Sequence, residues 1–279
     1  MKFIKYFIEA FFVYLFFLIG KIIGLSLSRL LFSSIFKIIG PIIRSDKIVN
    51  KNLTTFSKST SEYDKNKIKS NMWSNYGKTF IEYIFLKRFR DKDFHINIKG
   101  KNILEEIKKG EIPVIFVSGH FANFELMSME ITKRKIDLAT IYRPLNNIFL
   151  NPFMEHLRKK YICKNQIKKG RAGVKETIEY LKRKHSIALM VDQRVSEGEK
   201  INFFNQKALT TTLPGQLVLK FNLDIVPIFI ERKNNVFEME VFEPIKSSIF
   251  KNKFEVSEKL NQIMENMIIR NPNQWIWTH

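Results

Sequence analysis

IPVIFVSGHFANFE, residues 112–125, decides how this chain is read. Its first half is an unbroken apolar run with β-branched residues, bounded by proline and glycine. That composition predicts a strand over Pro113–Val117, buried on both faces as in a parallel sheet. Gly119 permits a tight exit, and Phe124–Lys133 continues at helical spacing. The pattern is therefore strand, glycine, histidine, turn, helix. In α/β sheets, ligands and reacting groups gather beyond the carboxyl ends of strands, and His120 stands there.

Working outward, the same alternation repeats. Strands are expected at Phe94–Ile98, Asp137–Tyr142, Ile187–Val191, Ile225–Ile230 and Val236–Phe242. Helices are expected at Asn102–Lys109 (closed by Gly110), Pro152–Lys160, Val174–Lys184, Leu213–Phe221 and Phe254–Ile269. Upstream, Lys47–Lys65 is a polar connection or short helical stretch, and Asp64 is positioned to cap a helix running to about Phe89. These features predict an α/β fold: a mostly parallel central sheet flanked by helices, preceded by an N-terminal membrane-anchoring helix. The expected division is an anchor over 1–40 and one catalytic domain over 41–279.

The anchor is read from Phe3 to Gly40, where Lys5, Glu9, Lys21, Arg29 and Lys37 are the charges in an otherwise apolar stretch. Ala10–Gly20 alone makes a helix of about 16 Å, short of the ~30 Å hydrocarbon core. Extension to Ser28 reaches the required length if Lys21 snorkels to the interface. A cleaved signal peptide and a buried soluble helix are the competing readings; no A-x-A cleavage site accompanies the first. Length alone is compatible with spanning the bilayer and with lying in one leaflet.

The net charge is +20 and the single cysteine is Cys163. So large a surplus points to a polyanionic partner such as anionic lipid, nucleic acid or an acidic protein. One cysteine excludes an internal disulfide. Several motifs fail. Gly77-Lys78-Thr79 lacks the glycine a phosphate-binding loop needs five positions earlier, and it lies in a helical pattern. There is no G-x-S-x-G elbow, no H-E-x-x-H and no cysteine pair. Asp91-Lys92-Asp93 reads as a solvated turn, and His95, His156 and His185 as structural or surface residues.

His120 and Glu125 are the chemical candidates. On a continuous helix the i+5 spacing would rotate their side chains by about 140°, so they meet only if His120 lies in the turn before the helix. Glu125 would then accept from one imidazole nitrogen and leave the other as a base, with the helix amino end supplying donors to an oxyanion. Five histidines and 27 acids in 279 residues produce about 0.5 such pairs by chance. From the residues alone, catalysis and a satisfied strand-end histidine both stand.

GHFANFE (119–125) resembles the H-x4-D/E block of the lysophospholipid acyltransferase superfamily. It is more closely similar to the G-H-F-G-N-W-E form of the lipid A late acyltransferases, the lauroyl/myristoyl transferase family. Further blocks follow in the same order. IYRPLNN (141–147) resembles the family's Y-R-P-x-x-N block, Arg171-Ala172-Gly173 its R-x-G, and VDQ (191–193) its D-Q. NFFNQKALTTTLPGQLVLKF (202–221) and IVPIFIER (225–232) resemble its F-F-G, T-T and V-P segments, and NPNQWIWTH (271–279) its P-x-Q-W-x-W-x-H end. The likeness covers nearly the whole chain. Ala122 stands where glycine is common, Phe124 where tryptophan is common, and Asn205 where glycine is frequent, a position asparagine tolerates because it visits left-handed backbone.

The resemblance implies acyl transfer from an acyl carrier protein thioester to a hydroxyl of a lipid A precursor, at the bacterial inner membrane with the catalytic domain on the cytoplasmic side. It implies His120 as general base, Glu125 as its orienting partner, and direct transfer without an acyl-enzyme. Arg143 is the expected phosphate or carboxylate ligand of the lipid headgroup, with a structural ion pair as the alternative. Arg171, Asp192 and Gln193 are weaker substrate-binding candidates, and Asn123 either binds substrate or caps the helix. Expected partners are acyl carrier protein, the lipid A precursor and anionic membrane lipids, with no nucleic acid, no metal and no cofactor beyond the thioester co-substrate. Rival readings are an acyltransferase for another phospholipid or glycolipid using acyl-CoA, an esterase, and a non-enzymatic basic membrane- or nucleic-acid-binding protein.

Overall fold

The computed structural model describes residues 2–43, 46–56, 61–193, 195 and 198–278; His279, the end of the terminal block, lies outside these. The chain begins with α1 (Lys2–Ile43), α2 (Asp46–Phe56), α3 (Glu62–Glu82) and α4 (Leu86–Asp91). The α/β region then runs through β1 (Ile96–Lys99), α5 (Lys101–Gly110), β2 (Ile115–Ser118), α6 (Glu125–Lys133), β3 (Leu138–Tyr142) and α7 (Asn151–Leu157). It continues with β4 (Asn165–Lys168), α8 (Arg171–Lys182), β5 (Ser186–Met190), β6 (Glu199–Phe203), β7 (Gln206–Thr210) and α9 (Leu213–Phe221). The last elements are β8 (Ile225–Lys233), β9 (Val236–Val241) and α10 (Lys253–Arg270).

Among the described residues, seven strands form one sheet in the order β1-β9-β8-β2-β5-β3-β4. β8, β2, β5, β3 and β4 are mutually parallel, whereas β9 runs antiparallel to β8 and carries β1 parallel to itself at the edge. The expected mostly parallel sheet flanked by helices is therefore what forms. The apolar run that opened the reading becomes β2, buried along its whole length, near the centre with β8 and β5 as neighbours. Parallel pairing requires both faces to be covered, which explains why β2 shows no alternation.

Several local expectations shift. Ser61, not Asp64, caps α3, accepting from the Asp64 backbone N–H at 3.1 Å. α3 stops at Glu82 because Phe85 (φ −107°, ψ 7°) leaves helical geometry, and a short tight turn over Tyr83–Phe85 precedes α4. Gly110 is the last residue of α5; the left-handed residue that ends the helix is Glu111, at φ 47°. β4 and the β6–β7 hairpin have no counterpart in the periodicity. β4 is a short, polar edge strand, and the hairpin turns on Phe204 and Asn205, both left-handed at φ 48° and 57°. Two such residues make the turn whose twist matches paired strands, and Asn205 thus adopts the conformation anticipated for it.

α1 is two helices merged across Gly24, whose φ 81° and ψ 170° lie outside helical geometry. Both parts pack on α3: Phe17, Phe32 and Phe36 surround Phe80, and Gly40 lies against Trp73.

Candidate active site

The register of the sheet builds the site. Ser118 on β2 is opposite Met190 on β5, so continuing two residues along each strand brings His120 beside Asp192. Nδ1 of His120 lies 2.7 Å from Oδ1 of Asp192, and the His120 backbone N–H donates to Oδ2 at 2.6 Å. The Trp275 indole N–H donates to the same Oδ2 at 2.8 Å. The Asp192 side chain has no solvent exposure, while that of His120 keeps 13%. A carboxylate only accepts, so Nδ1 carries the proton and Nε2 presents its lone pair. The Gln193 amide nitrogen, 3.3 Å from Nε2, donates to that lone pair. Phe124 packs edge-on against the imidazole at 4.6 Å between ring centres.

This corrects the expected pairing. His120 does lie in the turn and Glu125 is the first residue of α6, but the carboxylate on Nδ1 belongs to Asp192. Oε1 of Glu125 instead accepts from the Tyr83 hydroxyl and from Arg158, whose Nε and Nη2 lie at 2.8 and 2.7 Å. All three residues are largely buried. Burial by itself would lower the Arg158 guanidinium; the Glu125 carboxylate outweighs it and drives the group above its ordinary range. Burial, with Glu125 adding to it, pushes the Tyr83 phenol up, so it stays a donor.

The turn between β2 and α6 is closely confined. At Gly119 a Cβ would fall against the Met264 methyl and the Phe121 ring, so a side chain there requires both to move. Ala122 takes a left-handed φ of 44°, which explains the glycine common there in the proteins this block resembles. The segment before the chain end closes the turn: Phe121 bridges Trp275 in antiparallel fashion, and the Ala122 N–H donates to the Gln274 carbonyl at 3.2 Å.

Asn123 is turned into the body, 1% exposed, with Nδ2 donating to Glu82 at 2.9 Å; its side chain does not cap α6. Arg143 follows β3 at the same sheet edge as His120 and is exposed. Among the described residues it makes no ion pair. Lys169 lies close enough that burial and then Arg143 lower its ammonium. Arg171 opens α8 nearby and is also exposed. Cys163 is buried, and burial raises its thiol to about 11, so it is not placed to act as a nucleophile.

Sequence reasoning misses Tyr83, Arg158 and Trp275. In the sequence Arg158 is one more cation on a basic helix face. It points inward because α7 widens into a π-turn over Arg158–Ile162, an irregularity that periodicity does not reveal.

Lipid A biosynthesis acyltransferase 2 of Shigella flexneri is 23% identical over 185 residues, covering 64% of this chain and 58% of that protein. The match thus spans less than two-thirds of the relative's length. A solved structure, the 1-acyl-sn-glycerophosphate (LPA) acyltransferase PlsC from Thermotoga maritima, is similar over 91% of this chain and 100% of that chain, at 15% identity and a TM-score of 0.43. The model of the family described as bacterial lipid A biosynthesis acyltransferase matches residues 1–279. From one end to the other, the chain belongs to the bacterial lipid A biosynthesis acyltransferase family.

Proposed function

We propose that the protein is a membrane-associated acyltransferase that moves a fatty acyl chain from an acyl carrier protein thioester to a hydroxyl of a lipid A precursor. The observation that carries this reading is the His120–Asp192 pair at the carboxyl ends of two adjacent parallel strands, with Nε2 left as the basic nitrogen. His120 takes the acceptor hydroxyl's proton as the oxygen attacks the thioester carbonyl. The tetrahedral oxyanion collapses, the carrier thiolate leaves, and the imidazolium returns the proton to sulfur. The products are the new ester and the free carrier thiol. Asp192 fixes the tautomer and stabilises the imidazolium. Gln193 gives way to the acceptor hydroxyl at Nε2.

Glu125, Tyr83 and Arg158 form a buried, charge-balanced cluster that fixes the first turn of α6. The amino end of α6 favours the developing oxyanion. Arg143, Lys169 and Arg171 supply cations for the phosphates or carboxylates of the acceptor. The +20 net charge suits both an anionic leaflet and an acidic carrier protein. The reaction belongs at the cytoplasmic face of the bacterial inner membrane, where the carrier protein is available.

The test uses wild type and His120→Ala in detergent, each given a tetra-acylated lipid A precursor with and without Kdo, plus acyl carrier proteins charged with several chain lengths. Mass spectrometry reads one added acyl group. Product from wild type only supports the reaction, donor and base together. Acylation of another lipid but not this one refutes the acceptor, and equal product from both proteins refutes His120 as the base.

A further inference from the structure

The apolar amino-terminal segment is long enough to cross a bilayer, yet its geometry is that of a hairpin. The Ser28 hydroxyl donates to the Gly20 carbonyl at 2.8 Å, and the rings of Phe16 and Phe32 lie 5.5 Å apart. On a continuous helix these pairs would be separated by about 12 and 24 Å. The chain folds back at Gly24, whose backbone (φ 81°, ψ 170°) is one that glycine alone adopts readily. Residues 2–23 and 25–43 are therefore antiparallel limbs.

Each limb is fastened to the polar body along its length. In the first, Phe3 and Phe7 pack on Phe149, the Tyr14 hydroxyl donates to the Phe149 carbonyl at 2.8 Å, and Gly20 abuts Ile81. Asn147, from the Y-R-P-x-x-N block, donates to the Tyr6 carbonyl at 2.8 Å. In the second, Arg29 meets Glu82, Ser33 meets Ser74 at 2.7 Å, and Gly40 abuts Trp73. Neither limb can cross the hydrocarbon without drawing the catalytic body after it.

The opposite face has no partner among the described residues and is apolar. Ile4, Ile8, Phe11, Leu15, Leu18 and Ile22 form a stripe at three- and four-residue spacing on the first limb, and Leu27, Leu31, Ile38 and Ile42 continue it on the second. Ile22 and Ile42 are 75% and 81% exposed. Lys5, Lys21 and Lys37 are exposed on the same two limbs, with stems long enough to lie along apolar surface and carry their charge to headgroups. So large an apolar surface, with basic residues beside it and the polar body behind it, is one that lipid would cover, while the contacts with the body hold both limbs on one side.

We propose that residues 2–43 form a re-entrant hairpin seated in a single leaflet of an anionic bilayer, so that the amino terminus and the catalytic body share one side of the membrane. This concerns how the chain sits and does not depend on the acyl-transfer reading, since sidedness is measured without turnover.

The test places single cysteines at exposed positions in a Cys163→Ser background: Lys2→Cys at the amino terminus, Ser26→Cys beside the apex, and Lys109→Cys on the body as the marker. A membrane-impermeant maleimide is applied to spheroplasts and to everted inner-membrane vesicles. The expected result is that the Lys2→Cys and Lys109→Cys proteins label in the same preparation, and that the Ser26→Cys protein does not label in the opposite one. Labelling of the amino-terminal thiol from the side opposite the body marker would establish a single span and overturn the proposal. Labelling of the apex thiol from that opposite side would show a traversing hairpin and overturn it equally. Full labelling of each variant in detergent establishes that the thiols are reactive. As a second measurement on the unaltered core sequence, epitope tags at the two termini should be removed by protease from the same side; removal from opposite sides refutes the hairpin.

Discussion

Asp192→Asn is the sharpest perturbation of the site. Oδ2 of Asp192 receives two donors, the His120 backbone N–H at 2.6 Å and the Trp275 indole N–H at 2.8 Å. The amide oxygen of an asparagine therefore takes the Oδ2 place. Its NH2 then faces Nδ1, which lies 2.7 Å from Oδ1 in the wild type. A donor there forces Nδ1 to become an acceptor and transfers the ring proton to Nε2, where it abolishes the base. Loss of the correct tautomer in a comparable His–Asp pair costs about 10⁴ in kcat, equivalent to roughly 5.4 kcal/mol at 1.36 kcal/mol per decade. The two donors to Oδ2 keep an acceptor, so the fold should be retained. The assay is single-turnover acyl transfer under saturating acceptor, with thermal unfolding in the same detergent. A kcat within tenfold of wild type, with the fold intact, refutes the assignment of Asp192 as the residue that sets the His120 tautomer.

Three other outcomes follow from the same geometry. Trp275→Phe keeps the ring and deletes the N–H on Asp192; a lost bond to a charged acceptor, about 1.5 kcal/mol, should reduce kcat roughly tenfold while leaving KM unchanged, and an unaltered kcat would place Trp275 in packing alone. Ala122→Gly relieves a left-handed alanine (φ 44°), for which strain of about 1–2 kcal/mol exceeds the backbone entropy glycine adds, so the melting temperature should rise; a fall would mean the buried methyl matters more. Glu82→Gln strands two buried arginines and should cost about 3–5 kcal/mol at neutral pH. Burial would raise the Glu82 carboxyl, but Arg232 and Arg29 outweigh it and hold the group below its ordinary 4.5. Its stabilisation is therefore complete above that value and lost as pH falls through the lower folded one. The gap between wild type and Glu82→Gln in denaturant unfolding should close on acidification, and a gap independent of pH would refute the ionised assignment.

What the sequence discloses and what it hides divide along a physical line. β2, the turn and α6 are contiguous, so composition and spacing are enough to place His120 outside the strand and Glu125 at the head of the helix. The identity of the carboxylate on Nδ1 is not a contiguous property. It depends on β5 rather than β3 lying next to β2, and on the register that sets Ser118 against Met190. Asp192 is 72 residues from His120, and Trp275 a further 83; no local period connects them. VDQ and NPNQWIWTH are visible as blocks, but only the fold shows that both converge on one imidazole. The hairpin is hidden for a different reason. A single glycine in a long apolar helix is ordinarily tolerated, and only its backbone angles distinguish a fold-back from a continuous span.

Glu82 shows why these parts belong together. Its side chain has no exposure, and a carboxylate so buried is retained only where cations and donors surround it. Arg29 reaches it from the second limb of the amino-terminal hairpin at 2.6 Å, Arg232 from the end of β8, and Asn123 from the turn that carries His120, at 2.9 Å. Arg232 is fixed in turn by Gln274, which accepts its backbone N–H at 2.7 Å and donates to its carbonyl at 2.8 Å. One residue further, Trp275 holds Asp192. The apolar hairpin and the histidine turn are thus linked through one desolvated charge cluster rather than a flexible tether. Withdrawing Arg29 would leave Glu82 a single arginine and weaken the hold on Asn123, so the placement of the hairpin on the body and the geometry at His120 are constrained by the same carboxylate.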